Sequence, residues 1–233
     1  MTIKDSVFIV TGGSSGIGKA TARMLIEKGG KVVITGRDAG KLDRVANEIG
    51  AYGVLADVSE QSGIDRTMNE TLRVYGDLHG LINNAGQGWV KKIEDYTWED
   101  FEAIYRTNVF GAAMMGQAAA KHFVEKSYGN IVNIASTAAL KSYAGGGIYS
   151  SSKFALRSLT QAWQAELRKH NIRVFGVNPS EVTTAFNQPN RKERDEVANK
   201  LRAEEIAHAI VSALEMDDRG FIPEVTVHAT NPF

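Results

Sequence analysis

Seven short runs rich in β-branched residues recur along this chain of 233 residues, and segments with helical periodicity separate them. The runs begin at Val7, Lys31, Tyr52, Leu78, Asn130, Ile172 and Glu224. Several are apolar throughout, which is typical of strands buried on both faces of a sheet. The alternation predicts an α/β fold with one doubly wound parallel sheet of about seven strands and helices on both faces.

The chain contains only 4 prolines and no Gly/Ser/Pro-rich linker or repeat that would divide it. We therefore predict a single domain over residues 1–233. Its least regular part, about 180–202, is expected to be a short substrate loop.

Charge and cysteine content exclude several classes of function. Lys plus Arg and Asp plus Glu both number 27, so no overall field favours nucleic acid or an anionic membrane surface. The chain has no cysteine, and its 5 histidines show no ligand-like spacing, so we expect no metal site. No apolar run reaches the roughly 18 residues of a membrane span, and the cytoplasm is the expected compartment.

Four glycines lie within TGGSSGIG, between the first predicted strand and the following helix. Each glycine in regular structure costs roughly 0.5–1 kcal/mol relative to alanine. A turn of this kind lets a pyrophosphate approach the backbone N–H groups of a helix N-terminus. A tight turn with close helix packing is the alternative, because the spacing differs from GxGxxG.

The second strand ends in TGRD, where an acidic side chain would bind a ribose 2′-hydroxyl. Arg37 lies there instead, and its guanidinium suits a 2′-phosphate. NADP(H) is therefore predicted over NAD(H). An exposed arginine beside Asp38 without that role is the alternative.

Tyr149 and Lys153 are four residues apart and share one helical face, which continues into an apolar stripe. An inward-facing ammonium beside a phenol should lower the phenol's pKa from about 10 and make it a general acid or base. The alternative is a tyrosine and a snorkelling lysine at a helix start.

Two further polar residues are candidates for the same chemistry. Ser136 follows the fifth strand run, at the sheet edge where such folds bind ligands, and could donate to a substrate carbonyl or cap the next turn. Asn108 interrupts an apolar stripe that includes Phe101 and Ile104. Unpaired, its carboxamide would cost roughly 1–3 kcal/mol, so a satisfied structural role and a functional role are equally open.

Together, the TGxxxGIG loop, Asp57, NNAG at 83–86, Asn108, Ser136 and YxxxK resemble the short-chain dehydrogenase/reductase family, with its Rossmann-type fold. The resemblance implies a proton-transferring tyrosine, a lysine that lowers its pKa and holds the nicotinamide ribose, a carbonyl-orienting serine and a water-positioning asparagine. Those roles fall on Tyr149, Lys153, Ser136 and Asn108. It also implies a set of cofactor contacts: Gly12, Ser14, Ser15, Ile17, Gly18, Arg37, Asp57, Val58, Asn84, Ala85, Gly86, Tyr149, Lys153, Pro179, Val182 and Thr184.

The implied reaction is reversible hydride transfer between nicotinamide and a carbonyl or secondary alcohol. The nearest branch is the 3-oxoacyl-carrier-protein reductases, although Ser180 replaces their usual glycine and the C-terminus lacks their glycine-rich ending. A 3-oxoacyl thioester or small, mostly apolar ketone is the expected substrate. Candidate substrate contacts are Gln87, Trp89, Leu140, Tyr143 and Phe186, for which ordinary loop packing is an equal alternative.

The resemblance further implies a homo-oligomer, a tetramer or dimer, built on long helices around 100–125 and 150–168. Two other functions remain open. One is a redox-sensing regulatory protein that binds NAD(P) without turnover, and the other is an NAD-dependent alcohol or sugar dehydrogenase.

Overall fold

A computed structural model describes residues 1–186 and 194–231. The seven strands are β1 Val7–Val10, β2 Lys31–Gly36, β3 Tyr52–Leu55, β4 Gly80–Asn83, β5 Gly129–Ile134, β6 Ile172–Pro179 and β7 Glu224–Val227. The helices are α1 Gly16–Glu27, α2 Ala39–Ile49, α3 Gln61–Tyr75, α4 Trp98–Tyr105, α5 Ala112–Lys126, α6 Gly147–Leu167 and α7 Ala203–Glu215.

The strands form one parallel sheet in the order β3-β2-β1-β4-β5-β6-β7. The order reverses at β1, which pairs with β2 on one side and with β4 on the other. A crevice forms at such a reversal, outside the carboxyl ends of the strands, and is where open α/β sheets bind ligands. The predicted α/β, doubly wound, Rossmann-type fold is confirmed.

Two apolar layers cover the sheet. On one face, Val10 and Ile34 pack with side chains of α1, α2 and α7. On the other, Ile9 and Val33 pack with side chains of α3 and α5. Adjacent residues of β1 and β2 thus face opposite layers, which explains why β1 and residues 32–34 of β2 are apolar without alternation.

The helix predicted around 100–125 is interrupted. A π-helical segment, Arg106–Gly111, separates α4 from α5. A π-helical insertion adds a residue to the turn and shifts the side chains that precede it relative to those that follow. Ile104 is buried as expected, whereas Phe101, predicted in the same apolar stripe, is 38% exposed.

A row of buried polar side chains crosses the centre of the sheet. The Asn83 amide at the end of β4 donates to Asn133 Oδ1 on β5 (3.0 Å) and to the Ala112 carbonyl of α5 (3.1 Å). The Asn133 amide donates to Thr160 Oγ1 on α6 (2.8 Å). All three side chains are buried, so each bond is formed away from water, where an unpaired donor would be costly.

Candidate active site

A cleft of about 1530 Å³ opens at the carboxyl ends of the strands. Most of the predicted cofactor residues line it: Gly12, Ser14, Ser15, Ile17, Arg37, Asp57, Val58, Asn84, Ala85, Gly86, Pro179, Val182 and Thr184. So do Ser136, Tyr149 and Lys153. Of the predicted catalytic and cofactor residues, Gly18 and Asn108 are the two that are not among its lining residues.

The glycine loop leads directly into the first turn of α1. Gly12 and Gly16 have φ angles of 64° and 50°, in the left-handed region that favours glycine. Ser15 precedes the helix and makes no side-chain capping bond, so the N–H groups of the first turn face the cleft without a side-chain cap. This arrangement suits an anionic phosphate group.

Gly18 serves packing within the loop. A Cβ atom at this position would lie 2.6 Å from the Gly12 carbonyl oxygen and closer still to Asn84 Nδ2. The Asn84 amide donates to the carbonyls of Thr11 (2.9 Å) and Gly12 (3.2 Å), while Thr11 Oγ1 accepts from the N–H groups of Asn84 and Ala85. The NNAG segment thereby holds the glycine loop in place.

The end of the cleft at β2 is rich in basic side chains. Arg37, with a side chain 55% exposed, lies 3.5 Å from the Asp57 carboxylate. Burial pushes the pKa of Asp57 up, but bonds from Ser59 and the charge of Arg37 outweigh it and hold the pKa below its usual value. Lys41 and Arg44 also line this end. They were not predicted, although their spacing of three residues along α2 could have suggested a shared face.

Tyr149 and Ser136 meet in the cleft. The Ser136 hydroxyl accepts from the Ala138 N–H (3.1 Å), which caps the short helical turn after β5, and it also hydrogen-bonds to the Tyr149 phenol. Tyr149 is half-buried, and burial raises its pKa to about 12 despite the opposing bond from Ser136.

The predicted lowering of the Tyr149 pKa by Lys153 is therefore wrong for this structure. Lys153 does point inward and is buried, as expected. Its ammonium lies over the Tyr149 ring, 5.8 Å from the centroid, and donates to the Ile134 carbonyl (2.8 Å). Burial lowers the pKa of Lys153 to about 8. Desolvation of the phenol makes the largest contribution to its raised pKa, and the Lys153 charge makes no resolved contribution.

Asn108 is buried in the π-helix, behind the cleft wall. Its Oδ1 accepts from the Gln87 N–H (2.9 Å), and its Nδ2 donates to the Gln87 carbonyl (2.8 Å) and to Ser152 Oγ (3.0 Å). Both N–H donors of the carboxamide are thus bonded to protein. Asn108 therefore has the satisfied structural role that was one of its two predicted alternatives. Since both of its N–H groups are used, a water held by this side chain would have to donate a hydrogen bond to Oδ1.

Only some of the predicted substrate contacts line the cleft. Tyr143 and Phe186 do, and the Phe186 ring lies 5.6 Å from that of Tyr149. Gln87 and Trp89 instead bond to α4, Gln87 to the Ala103 carbonyl (2.5 Å) and Trp89 to Asp100 Oδ1 (3.2 Å).

Leu140 is exposed and is not among the lining residues. Val90, Lys141 and Arg194 line the cleft without having been predicted. Of the predicted substrate loop, 187–193 lies outside the described residues.

The parallel sheet, the glycine loop before α1 and the cleft at the strand-order reversal define a nucleotide-binding protein of Rossmann type. A family model described as short chain dehydrogenase matches residues 6–195. The chain belongs to this family and is an NAD(P)-dependent oxidoreductase acting on CH–OH or carbonyl groups. The predicted family is thereby confirmed.

Known proteins resemble the chain over nearly its whole length. An uncharacterized oxidoreductase of Staphylococcus aureus is 34% identical over 232 residues, 97% of each chain. An alcohol dehydrogenase from the archaeon Thermococcus sibiricus, complexed with 5-hydroxy-NADP, has a TM-score of 0.89 and 25% identity, covering 97% of each chain.

The 3-ketoacyl-(acyl-carrier-protein) reductase of Brucella melitensis, complexed with NADH, also has a TM-score of 0.89. It is 28% identical, over 99% of this chain and 100% of the reductase. Among the described residues, no helix is both long and apolar enough to cross a membrane.

Proposed function

We propose that this protein catalyses reversible, NADP(H)-dependent hydride transfer between nicotinamide and a carbonyl or secondary alcohol. The observation that carries the proposal is the meeting of Tyr149, Ser136 and Lys153 in the cleft that the glycine loop also lines. A phenol held by a hydroxyl, above a buried ammonium, is suited to transferring a proton to a substrate oxygen.

The residues of the cleft fit a dinucleotide. Gly12, Ser14, Ser15 and Ile17 would hold the pyrophosphate at the start of α1, and Asp57 and Val58 the adenine. At Gly16 a Cβ would lie 3.1 Å from Thr184, so the loop approaches the segment after β6 closely at this point. A reduced nicotinamide supplies a hydride when bound.

Each of the three polar residues has a distinct task. Tyr149, whose pKa of about 12 keeps it protonated near neutral pH, donates its proton to the substrate oxygen during reduction. Ser136 orients that oxygen, because its hydroxyl oxygen is already fixed by the Ala138 N–H. Lys153, with a pKa of about 8, is mostly charged at pH 7 and would hold the nicotinamide ribose.

NADP(H) is the cofactor that the basic end of the cleft supports. Arg37, Lys41 and Arg44 lie where a 2′-phosphate would be placed, and a guanidinium binds phosphate oxygens in a planar, bidentate manner. Tyr143, Phe186 and Val90 give the other end an apolar lining, which favours a mostly apolar ketone or a 3-oxoacyl thioester.

The proposed oligomer is a homodimer or homotetramer that covers apolar side chains at the π-helix and on α5 and α6. Phe110, Met114 and Phe154 are exposed there. Gly116 serves contacts within the chain instead, since a Cβ would lie 2.6 Å from the Trp163 ring. Light scattering that gives the mass of a monomer would contradict this assembly.

The test is NADPH oxidation, followed by absorbance, with ketones, diketones and 3-oxoacyl thioesters. Tyr149→Phe should lower kcat by about 10²–10⁴-fold, because it removes the proton donor, while NADPH binding remains close to that of wild type. Tight NADPH binding without turnover of any substrate would favour a sensing role. Unchanged turnover in Tyr149→Phe would refute the assigned mechanism.

A further inference from the structure

Gln87 makes contacts on both sides of the point where α4 becomes π-helical. Its side-chain Nε2 donates to the Ala103 carbonyl (2.5 Å), three residues before the π-helix begins at Arg106. Its backbone N–H and carbonyl both bond to the carboxamide of Asn108, inside the π-helix. Gln87, in the loop after β4, therefore bonds both to α4 and to the π-helical segment that follows it.

A π-helical turn is less stable than the α-helix around it and persists where surrounding contacts support it. Backbone carbonyls near such an interruption benefit from donors outside the helix. The Gln87 carboxamide is a donor of this kind. It reaches the helix from a loop that is anchored through Asn84 to the glycine loop.

The same contacts extend to the helix that carries Tyr149. Asn108 Nδ2 donates to Ser152 Oγ (3.0 Å), and Ser152 Oγ donates to the Tyr149 carbonyl (2.7 Å). Ser152 lies directly before Lys153 in α6. The path from Ala103 through Gln87, Asn108 and Ser152 consequently ends on the first turns of α6.

We propose that the Gln87 carboxamide is a positioning residue: by binding the Ala103 carbonyl it fixes the π-helix and, through Asn108 and Ser152, the placement of Tyr149. This role rests on the proposed function, since it concerns the proton donor of that reaction. Gln87 is not among the residues lining the cleft, and its side chain is bonded to α4, so the role proposed for it is not a catalytic one. The more ordinary interpretation is a half-buried amide that adds only stability.

The test compares Gln87→Met with a matched control, Gln164→Met. Methionine has nearly the length of glutamine but no N–H donor. Gln164 also donates its amide to backbone carbonyls, those of Val174 (3.0 Å) and Pro223 (2.8 Å), but it is not among the residues lining the cleft. Both variants lose amide bonds to the backbone, and only one of them lies on the path to Tyr149.

We expect Gln87→Met to lower kcat about tenfold, with the KM for NADPH within about twofold of wild type, because misplacement of the donor affects the reacting geometry and not cofactor binding. Backbone hydrogen exchange over 104–112 should also accelerate in Gln87→Met. Gln164→Met should retain wild-type kcat and wild-type exchange over 104–112.

The outcomes separate this proposal from the function on which it rests. Both proposals are overturned if the wild-type protein reduces no carbonyl and the Gln87→Met variant shows wild-type hydrogen exchange over 104–112. An active wild type, with a Gln87→Met kcat equal to that of Gln164→Met, overturns the positioning role alone. Equal losses of kcat and NADPH affinity in Gln87→Met also overturn it, since they indicate a general loss of structure.

Discussion

Replacing Gly88 by alanine should push the Tyr149 ring out of place. A Cβ at Gly88 would lie 3.0 and 3.1 Å from ring carbons Cγ and Cε2 of Tyr149, and closer still to Cδ2. Carbon atoms normally pack about 3.5–4.0 Å apart, so the ring would have to retreat by more than about half an ångström. The Phe186 ring, 5.6 Å away between centroids, lies against Tyr149 and limits the available room.

The expected loss follows from that displacement. Misplacing a reacting group by about 1 Å can cost on the order of 10²-fold in rate, so kcat should fall between about tenfold and 10²-fold. Overpacking should also lower the free energy of unfolding by about 1–3 kcal/mol. NADPH affinity should stay near the wild-type value, because the glycine loop and Arg37 lie at the other end of the cleft.

The assay measures kcat, NADPH affinity by fluorescence titration, and thermal unfolding. Gly220→Ala is the matched control, since its Cβ would meet only Met216 Cε at 3.5 Å, an ordinary contact, and Gly220 has no positive φ angle. A Gly88→Ala enzyme as active as Gly220→Ala would refute the reasoning. It would mean that the Tyr149 ring can shift without consequence for proton transfer.

Two other predictions concern charge. Arg37→Gln should raise the KM for NADPH about tenfold and leave that for NADH nearly unchanged, because it removes a phosphate-binding cation; equal changes for both cofactors would count against a 2′-phosphate contact. Burial raises the pKa of Asp77, but bonds from His122 and the Leu78 N–H outweigh it and lower the pKa to about 2. This depressed pKa stabilises the fold above pH ~4, and the gain is lost as pH falls toward 2. Asp77→Asn should therefore cost about 1 kcal/mol in urea unfolding at pH 7, after allowance for solvent screening, and almost nothing at pH 2; an equal cost at both pH values would refute it.

The sheet could be predicted from sequence because strands buried on both faces are short apolar runs. Each of the seven predicted runs overlaps a strand of the sheet. β4 begins at Gly80, two residues after the predicted run, and β5 at Gly129, one residue before it. Such shifts depend on hydrogen bonds to neighbouring strands, which a local pattern does not contain.

The site could be predicted less fully, and the errors have a common cause. Gln87 and Trp89 follow β4, where a substrate loop is expected, yet their partners Ala103 and Asp100 lie more than ten residues further along the chain. The predicted direction of the Tyr149 pKa shift was wrong because helical spacing does not show how far the folded cleft buries the phenol. Helical spacing placed Lys153 on the correct face, but it could not show that the ammonium bonds to the Ile134 carbonyl.

The buried amides of Asn83 and Asn133 have a consequence for how the strands align. An apolar parallel strand surrounded by apolar layers has little to distinguish one alignment from another shifted by two residues. A slip of β4 along β5 would break the bond from the Asn83 amide to Asn133 Oδ1 and leave that buried oxygen without its donor. The pair thus selects a single alignment at the centre of the sheet, and that alignment determines how far each strand end extends toward the cleft.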